Sequence, residues 1–434
     1  MKITRFEINK YKSIASKFNL IDPGKIHFFI GSNNAGKTNI LDAIYQVYNR
    51  DNIRFPDKQT DLEIDFSVTS KNGKLLQVKQ KNGIKNFLLD NKKINSETAK
   101  TILDKHIIRI RATKPILISR LQKDYSIFRK KYPHEFKQFS KTISDYIPQI
   151  KLSDIFEKSK GIHDDNIIRP FERLGDGFQQ VFVILMYLFN PVYTIMLLEE
   201  PEIHLHPALI KKLLKILENR NYNDQIFLTT HSPLFININS LHRLFRVVKE
   251  EGKTIVYSPR LTGIKLNYTR LKQELNADNS EMLFSDKVLL VEGPSDHILL
   301  RALIDRFYKG GKDIKVIQTY GKSNVDIYTQ LLEMFMIPYA VLLDRDALYD
   351  TGVKLVAKEI GNSYAKTENT LINILKKHNI YILPNGSIEK NYPRRYQRRR
   401  KHKPQNAMYA ASHITENEYK SPLMKNIKEV IDNL

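Results

Sequence analysis

Two sets of residues in this chain have the types and spacing for phosphate chemistry. The first is GSNNAGKT, Gly31 to Thr38. Its glycines let successive backbone N–H groups turn inward toward phosphate oxygens. Lys37 is spaced to reach the β- and γ-phosphates of a nucleoside triphosphate, and Thr38 offers a hydroxyl to Mg2+. Gly31, Asn33, Asn34, Ala35, Gly36, Lys37, Thr38 and Asn39 are the expected ATP contacts. The second set is acidic: Glu292 and Asp296 in EGPSD, Asp344 and Asp346 in DRD, and Glu389 in NGSIEK. Carboxylates that converge at strand ends repel one another and take up protons unless a cation sits among them. Oxygen ligands suit Mg2+, with Mn2+ an alternative. Two such ions can activate water for phosphodiester hydrolysis.

Each set needs elements to hold it. The loop follows the apolar run Ile26 to Ile30 and precedes a helical pattern, Asn39 to Tyr48. Strand, loop and helix are the context a phosphate loop requires, and the helix N-terminus favours anions. Tyr193 to Leu198 reads as a buried strand delivering Glu199 and Glu200 at its carboxyl end. Glu199 is assigned to the metal, through water, and Glu200 to the attacking water. The strand Gln225 to Thr230 ends at His231, where an imidazole can meet a γ-phosphate. Upstream, RLGDGFQQ opens an apolar helix; Gly175 and Gly177 at its N-terminus make a second anion-binding spot. Lys287 to Val291 reads as a strand ending in Glu292. With Ser295 as N-cap, Asp296 falls in the first turn of the next helix, near the same crevice. If Asp344-Arg345-Asp346 extends the strand YAVLL, its aspartates share a face. The pair His204-x-His206 has no third ligand nearby and is not read as a zinc site.

Residues 1–30 read as strands with a turn at Asp22-Pro23-Gly24. Residues 60–90 read as a meander with turns at Asn72-Gly73 and Asn82-Gly83. Residues 100–165 read as polar helix, and residues 241–260 as a hairpin around Glu251-Gly252. The run Val181 to Leu198 approaches membrane-spanning length, but Asn190-Pro191 interrupts it. It reads as a buried helix, a turn and a buried strand, so no membrane association is expected. After a polar stretch, strands again alternate with helices, the pattern of a mainly parallel sheet.

With 434 residues the chain has room for two or three domains. It contains no cysteine, which excludes disulfides, thiolate zinc sites and cysteine nucleophiles. That composition, and an N-terminus without an apolar signal core, fit a cytoplasmic protein. The net charge of +23 favours a polyanionic partner. The tract RRYQRRRKHK, Arg394 to Lys403, concentrates that charge beside the acidic set. Arg394, Arg395, Arg398, Arg399, Arg400 and Lys401 are expected on a phosphate backbone, with Tyr392 and Tyr396 interleaved.

Taken in order, GSNNAGKT, RLGDGFQQ, EEPEIHLHP and TTHS resemble the Walker A, signature, Walker B and switch histidine of ABC-class ATPases. LNADNSEMLFSDKVLLVEGPSDHILL and the later DRD resemble the TOPRIM domain of the OLD (overcoming lysogenization defect) family nucleases. IQTYGKSNV and LPNGSIEKNY fit the same family. The resemblance implies an α/β chain: an ABC-type P-loop ATPase over residues 1–265, with a helical insertion at about 100–170, a connector at 266–285 and a Rossmann-like parallel TOPRIM sheet in 286–434. It assigns Glu292, Asp296, Asp344, Asp346 and Glu389 to metal, with Ser295 and Gly321-Lys322 lining the crevice. It also implies a catalytic basic residue downstream, for which Lys403 is the choice. Family members carry serine where this chain has Gly175, so one hydroxyl contact to nucleotide is missing. The implied assembly is a homodimer or higher even oligomer, sandwiching ATP between subunits. The implied activity is an ATP-controlled, metal-dependent DNA endonuclease in anti-phage defence, with a partner protein or RNA from the same defence system among its implied associations. The alternative is a non-nucleolytic ATPase that senses DNA or scaffolds a partner effector. The absence of cysteine argues against a primase with a zinc module, and the acidic set against a transporter ATPase.

Overall fold

The computed structural model describes residues 1–49, 60–68, 74–82, 84–147, 150–151, 162–164, 167–219, 225–260, 267–350, 352–361, 366–397 and 402–434. The turn expected at Asn72-Gly73, Gly83 of the next turn, and Arg398, Arg399, Arg400 and Lys401 lie outside them. The chain divides into two compact units, Met1–Ser258 and Pro259–Leu434.

In the first unit a six-stranded sheet runs in the order Lys253–Tyr257, Leu244–Glu250, Ile26–Ile30, Gln225–Thr230, Ile195–Glu199, Ile107–Arg111. All neighbours are parallel except the edge hairpin. That hairpin turns at Glu251 (φ +48°) and Gly252 (φ +78°), the backbone that a two-residue turn demands. Because Ile26–Ile30, Gln225–Thr230, Ile195–Glu199 and Ile107–Arg111 are parallel, the phosphate loop, His231, Glu199 and Arg111 all emerge from one sheet edge. That edge is where open α/β sheets bind ligands. An antiparallel sheet packs alongside, ordered Phe18–Ile21, Lys2–Lys10, Asp61–Val68, Lys74–Lys81, Ile84–Leu89, Lys92–Ile94. Its alternating residues bury one face, as the period-two pattern requires. Phe6, Phe18, Phe29 and Phe245 interlock edge-to-face and stacked between the layers. His27 sits in the same interior against Phe227, and burial, followed by the Arg243 charge, pushes its pKa down to about 4.

The expected helical stretch at 100–165 needs correction. Ile107–Arg111 is a strand of the central sheet, pairing Arg111 with Glu199 in register. Two arginines made HIIRIR look polar. They tolerate the interior because acids from neighbouring elements face them. The helical parts are the end of Ser96–Asp104, then Ile118–Lys131 and Pro133–Tyr146, while Ile150–Lys151 and Ile162–Asp164 are short strands. Tyr125, Phe128, Phe136 and Phe139 cluster there, and Tyr125 and Phe139 pack against Phe182 of the helix Asp176–Phe189. The charge-free run at 181–198 is this buried helix followed by the strand Ile195–Glu199. Among the described residues no helix is long and apolar enough to cross a membrane.

The second unit is built on a four-stranded parallel sheet in the order Ile314–Gln318, Lys287–Val291, Tyr339–Leu343, Ile380–Ile382. The helices Pro294–Phe307 and Val325–Met334 form crossovers, and Lys403–His413 and Lys425–Asp432 complete the core.

Candidate functional site

In the first unit the phosphate loop is closed on itself. Gly36 adopts φ +100°, and a Cβ there would collide with the Thr254 side chain. Thr254, buried in the edge hairpin, donates to Ala35 O at 2.9 Å and shares a hydrogen bond with Ser13 Oγ at 2.8 Å. Asn39 donates to Ser13 Oγ at 2.7 Å, so its amide braces the helix Lys37–Asn49 rather than facing the loop. Asn34 holds φ +63°, turning the loop. Lys37 is buried and donates to Gly31 O at 3.0 Å and Ser32 O at 2.9 Å. Burial lowers its pKa, against the opposing pull of Glu200 and Glu202.

Glu199 is engaged on both of its carboxylate oxygens. Its Oε1 accepts from Thr38 Oγ1 at 2.8 Å. Its Oε2 accepts from Arg109 Nη2 at 2.8 Å and lies 2.9 Å from Arg111 Nε. Arg109 also pairs with Asp42, which takes Lys12 Nζ at 2.5 Å and Arg111 Nη2 at 3.2 Å. Burial alone would raise the Asp42 pKa; Lys12 and Arg109 overcome it and hold the carboxyl below its usual range. Glu200 takes φ +49°, a conformation rare outside glycine, and stands 3.9 Å from Lys37 Nζ and 3.6 Å from His231 Nδ1. Glu202 is buried: it accepts from Thr230 Oγ1 at 2.6 Å and His231 N at 3.0 Å, anchoring the histidine's backbone. Burial raises its pKa.

Gly175 and Gly177 flank Asp176 at the start of Asp176–Phe189. A Cβ on Gly175 would meet nothing within 4 Å, whereas one on Gly177 would stand 2.5 Å from His204 O. The second glycine is thus also a packing requirement. His206 Nδ1 accepts from Ala208 N at 3.3 Å, at the start of the helix Pro207–Asn219.

The acids of the second unit converge in part. Glu292 ends its strand and accepts from Asp344 N at 2.7 Å. The following helix starts at Pro294 with Gly293 as N-cap; Asp296 reaches back to accept from Gly293 N at 3.0 Å. Ser295 is therefore inside the helix and buried, not its N-cap, because proline at the first position is already set to helical φ. Burial, then the charges of Glu292 and Glu389, pushes Asp296 up to about 7. Burial, then Glu292, Asp296, Asp346 and Glu389, pushes Asp344 up to about 7 as well.

The shared-face expectation for Asp344 and Asp346 is overturned. The strand ends at Leu343, and Arg345–Tyr349 winds into a 3-10 turn. Asp344 faces the other acids, while the exposed Asp346 meets Lys322 Nζ at 2.7 Å, which also lies 3.1 Å from Asp350. The Glu389 Oε2 is buried without a hydrogen bond; Lys403 Nζ stands 3.7 Å away, at the start of Lys403–His413. Among the described residues no three His, Asp or Glu side chains are already gathered to hold a metal ion. The donor set nevertheless fits a divalent cation. It offers carboxylate oxygens only, one of them orphaned, where burial and then the neighbouring acids push Asp296 and Asp344 up to about 7.

The basic tract is partly spoken for. Arg395 pairs with Glu418 at 2.5 Å and lies over the Tyr396 ring. Tyr392 and Tyr396 are buried at 1% and 5% exposure, so neither is a stacking platform for bases. They fill the core against Ala407 and Ala410. Arg394 is exposed.

Sequence reasoning missed Lys12, Asp42, Arg109, Arg111 and Glu202 at the first edge and Asp350 at the second. The only local signal was arginine alternating with isoleucine in HIIRIR, a strand pattern with charge on its sparse face.

Comparison with known proteins agrees with this division. Residues 46–237 match the family described as "AAA domain, putative AbiEii toxin, Type IV TA system". Residues 283–346 match "Overcoming lysogenization defect protein-like, TOPRIM domain". The chain is 30% identical over 240 residues to "Endonuclease GajA" of Bacillus cereus (strain VD045), covering 53% of this chain and 39% of that protein. It is 26% identical over 199 residues to the "OLD nuclease" of Thermus scotoductus, covering 42% and 37%. It is 25% identical over 230 residues to the "Old nuclease" of Escherichia phage P2, covering 47% and 39%. The chain thus spans about two fifths of the length of these relatives.

Proposed function

We propose that this chain, a member of the overcoming-lysogenization-defect family by its P-loop ATPase and TOPRIM domains, is an ATP-controlled, divalent-metal-dependent DNA endonuclease serving anti-phage defence. The observation that carries the reading is the convergence of Glu292, Asp296, Asp344 and Glu389 at the sheet edge of the second unit, where burial and then one another's charge disfavour ionised Asp296 and Asp344. Leaving buried acids uncompensated costs stability, and a divalent cation is the ligand that removes the cost. The same glutamates and aspartates would hold Mg2+ or Mn2+, which supplies an activated water and stabilises the leaving oxygen. Lys403, beside Glu389, is positioned to neutralise charge on a phosphate. Asp346, tethered to Lys322, is the acid best able to swing, since 70% of its side chain is exposed. Arg394 and Arg395 are both exposed and support contact with the DNA backbone, Arg395 while paired with Glu418.

In the first unit, Lys37, Thr38, Glu199, Glu200 and His231 would bind ATP and, on assembly into a dimer or higher even oligomer, control cutting. The test is supercoiled plasmid with Mg2+ or Mn2+, with and without ATP, alongside Lys37→Ala and Asp344→Ala. Cleavage by the parent, loss of it in Asp344→Ala with ATP binding retained, and altered ATP dependence in Lys37→Ala are expected. Undiminished nicking by Asp344→Ala refutes the site. No cleavage under any condition favours the non-nucleolytic sensor.

A further inference from the structure

The first unit holds more positive charge around Glu199 than a carboxylate waiting for a metal needs. Among the acids of the described residues, Lys12, Arg109 and Arg111 pair only with Asp42 and Glu199. The two arginines differ. Arg109, with a side chain 3% exposed, bridges Asp42 and Glu199 and is fixed. Arg111, 27% exposed, is the strand neighbour of Glu199 and touches its Oε2 from the side. Beyond Arg111 lies a cavity of about 460 Å3, lined also by Leu117, Asp176, Gln179, Gln180 and His204. Asp176 stands between Gly175 and Gly177, and its carboxylate makes no ion pair with a described residue. Gln180 Nε2 is buried in the same wall without an acceptor. An arginine side chain therefore has both the room and an acidic partner on the far side.

We infer that Arg111 is a displaceable cation. It neutralises Glu199 in the nucleotide-free site and moves toward Asp176 when Mg2+-nucleotide takes that carboxylate. Occupancy of the phosphate loop is thereby relayed to the Gly175–Gly177 turn. This rests on the reading of Gly31 to Thr38 as a Mg2+-nucleotide site. A unit positive charge within hydrogen-bond distance of Glu199 opposes an incoming divalent ion, and Thr38 can keep its bond to Oε1 throughout. Arg111 acts through Glu199 and is a positioning residue.

The experiment titrates Mg2+ against binding of a fluorescent ATP analogue to the full chain, with chelator as baseline. Arg111→Gln is expected to lower the half-saturating Mg2+ concentration by about fivefold or more, a modest coupling. Arg111→Lys, retaining charge, should stay near the parent. Asp176→Asn, on the surface and harmless to folding, should raise the Mg2+ needed. The double variant should match Arg111→Gln alone, because the aspartate acts only through the arginine. An unmoved midpoint in Arg111→Gln, or additive effects in the double variant, overturns the inference while nucleotide binding stands. No analogue binding by the parent at any Mg2+ concentration overturns the nucleotide reading and the relay with it.

Discussion

Asp344→Asn offers a test of the second unit that needs no substrate. Burial and four neighbouring acids move the Asp344 carboxyl from 3.8 to about 7 in the metal-free fold. The unfolded chain ionises this group near its ordinary value while the folded chain keeps it neutral. Stability is therefore fullest in acid, declines as pH rises through the interval, and carries the whole penalty above about 7. The displacement corresponds to ~4 kcal/mol against the ionised form. Solvent reaches part of Asp344, and Asp296 shares the same field, so screening leaves about 1–2 kcal/mol. In a unit of this size that is ~2–8 °C in Tm. The assay is thermal unfolding of the full chain stripped with chelator, parent against variant. Below about pH 3.8 the aspartate is protonated in the folded and unfolded chain alike, and the melts of parent and variant coincide; they separate progressively as pH rises from there. At about pH 8 the variant unfolds later. Added Mg2+ or Mn2+ then reverses the order, because only the parent gains from binding it. A variant less stable than the parent at the higher pH in chelator would show that the acids are not in conflict, and the argument for a cation site would fail.

Three other outcomes follow from the geometry. Gly175→Ser meets no neighbour, so it should leave Tm within about 1 °C and raise ATP turnover by restoring a hydroxyl at the loop. Gly177→Ala would force a carbon to 2.5 Å from His204 O and should cost about 1–3 kcal/mol in urea unfolding along with nucleotide turnover. His27, whose pKa burial lowers to about 4, contributes stability above its ordinary 6.5 that is lost as pH falls toward 4; His27→Leu should flatten the acid limb of a denaturation series by up to ~3 kcal/mol.

What could be read in the sequence was local. GSNNAGKT, EEPEIHLHP and EGPSD each carry a strand end, a turn and their reactive groups within a few residues, so spacing alone places them. What escaped was chemistry assembled across strands. Arg109 and Arg111 belong to Glu199 and Asp42 only because Ile107–Arg111 lies parallel to Ile195–Glu199, a pairing 88 residues apart in register. The same charges concealed the strand, since burial of arginine is intelligible only once its acids are known. Tyr392 and Tyr396 misled in the opposite direction. Beside a run of arginines an aromatic reads as a base-stacking surface, yet both rings are needed to close the core under Lys403–His413. Asp346 misled because an extended backbone was carried one residue too far, past Leu343 into a 3-10 turn.

The two acidic edges meet the same electrostatic problem in different ways. At Glu199 and Asp42 every negative charge is matched by arginine or lysine, and the Asp42 carboxyl is held below its usual range. A metal-free resting state there is self-consistent, and Mg2+ must compete for its ligand. Among the described residues no lysine or arginine pairs with Asp296 or Asp344; Lys322 is engaged by Asp346 and Asp350, and Lys403 stops 3.7 Å from Glu389. Burial, then the neighbouring acids, instead pushes both aspartates up to about 7. A site that resists its metal suits a switch, where occupancy must report nucleotide. A site destabilised until its metal arrives suits bond breaking, where the cation is needed in place before substrate. Under the proposed function, the division of labour between control and chemistry rests on where the basic side chains are, as much as on the acids that first marked both edges.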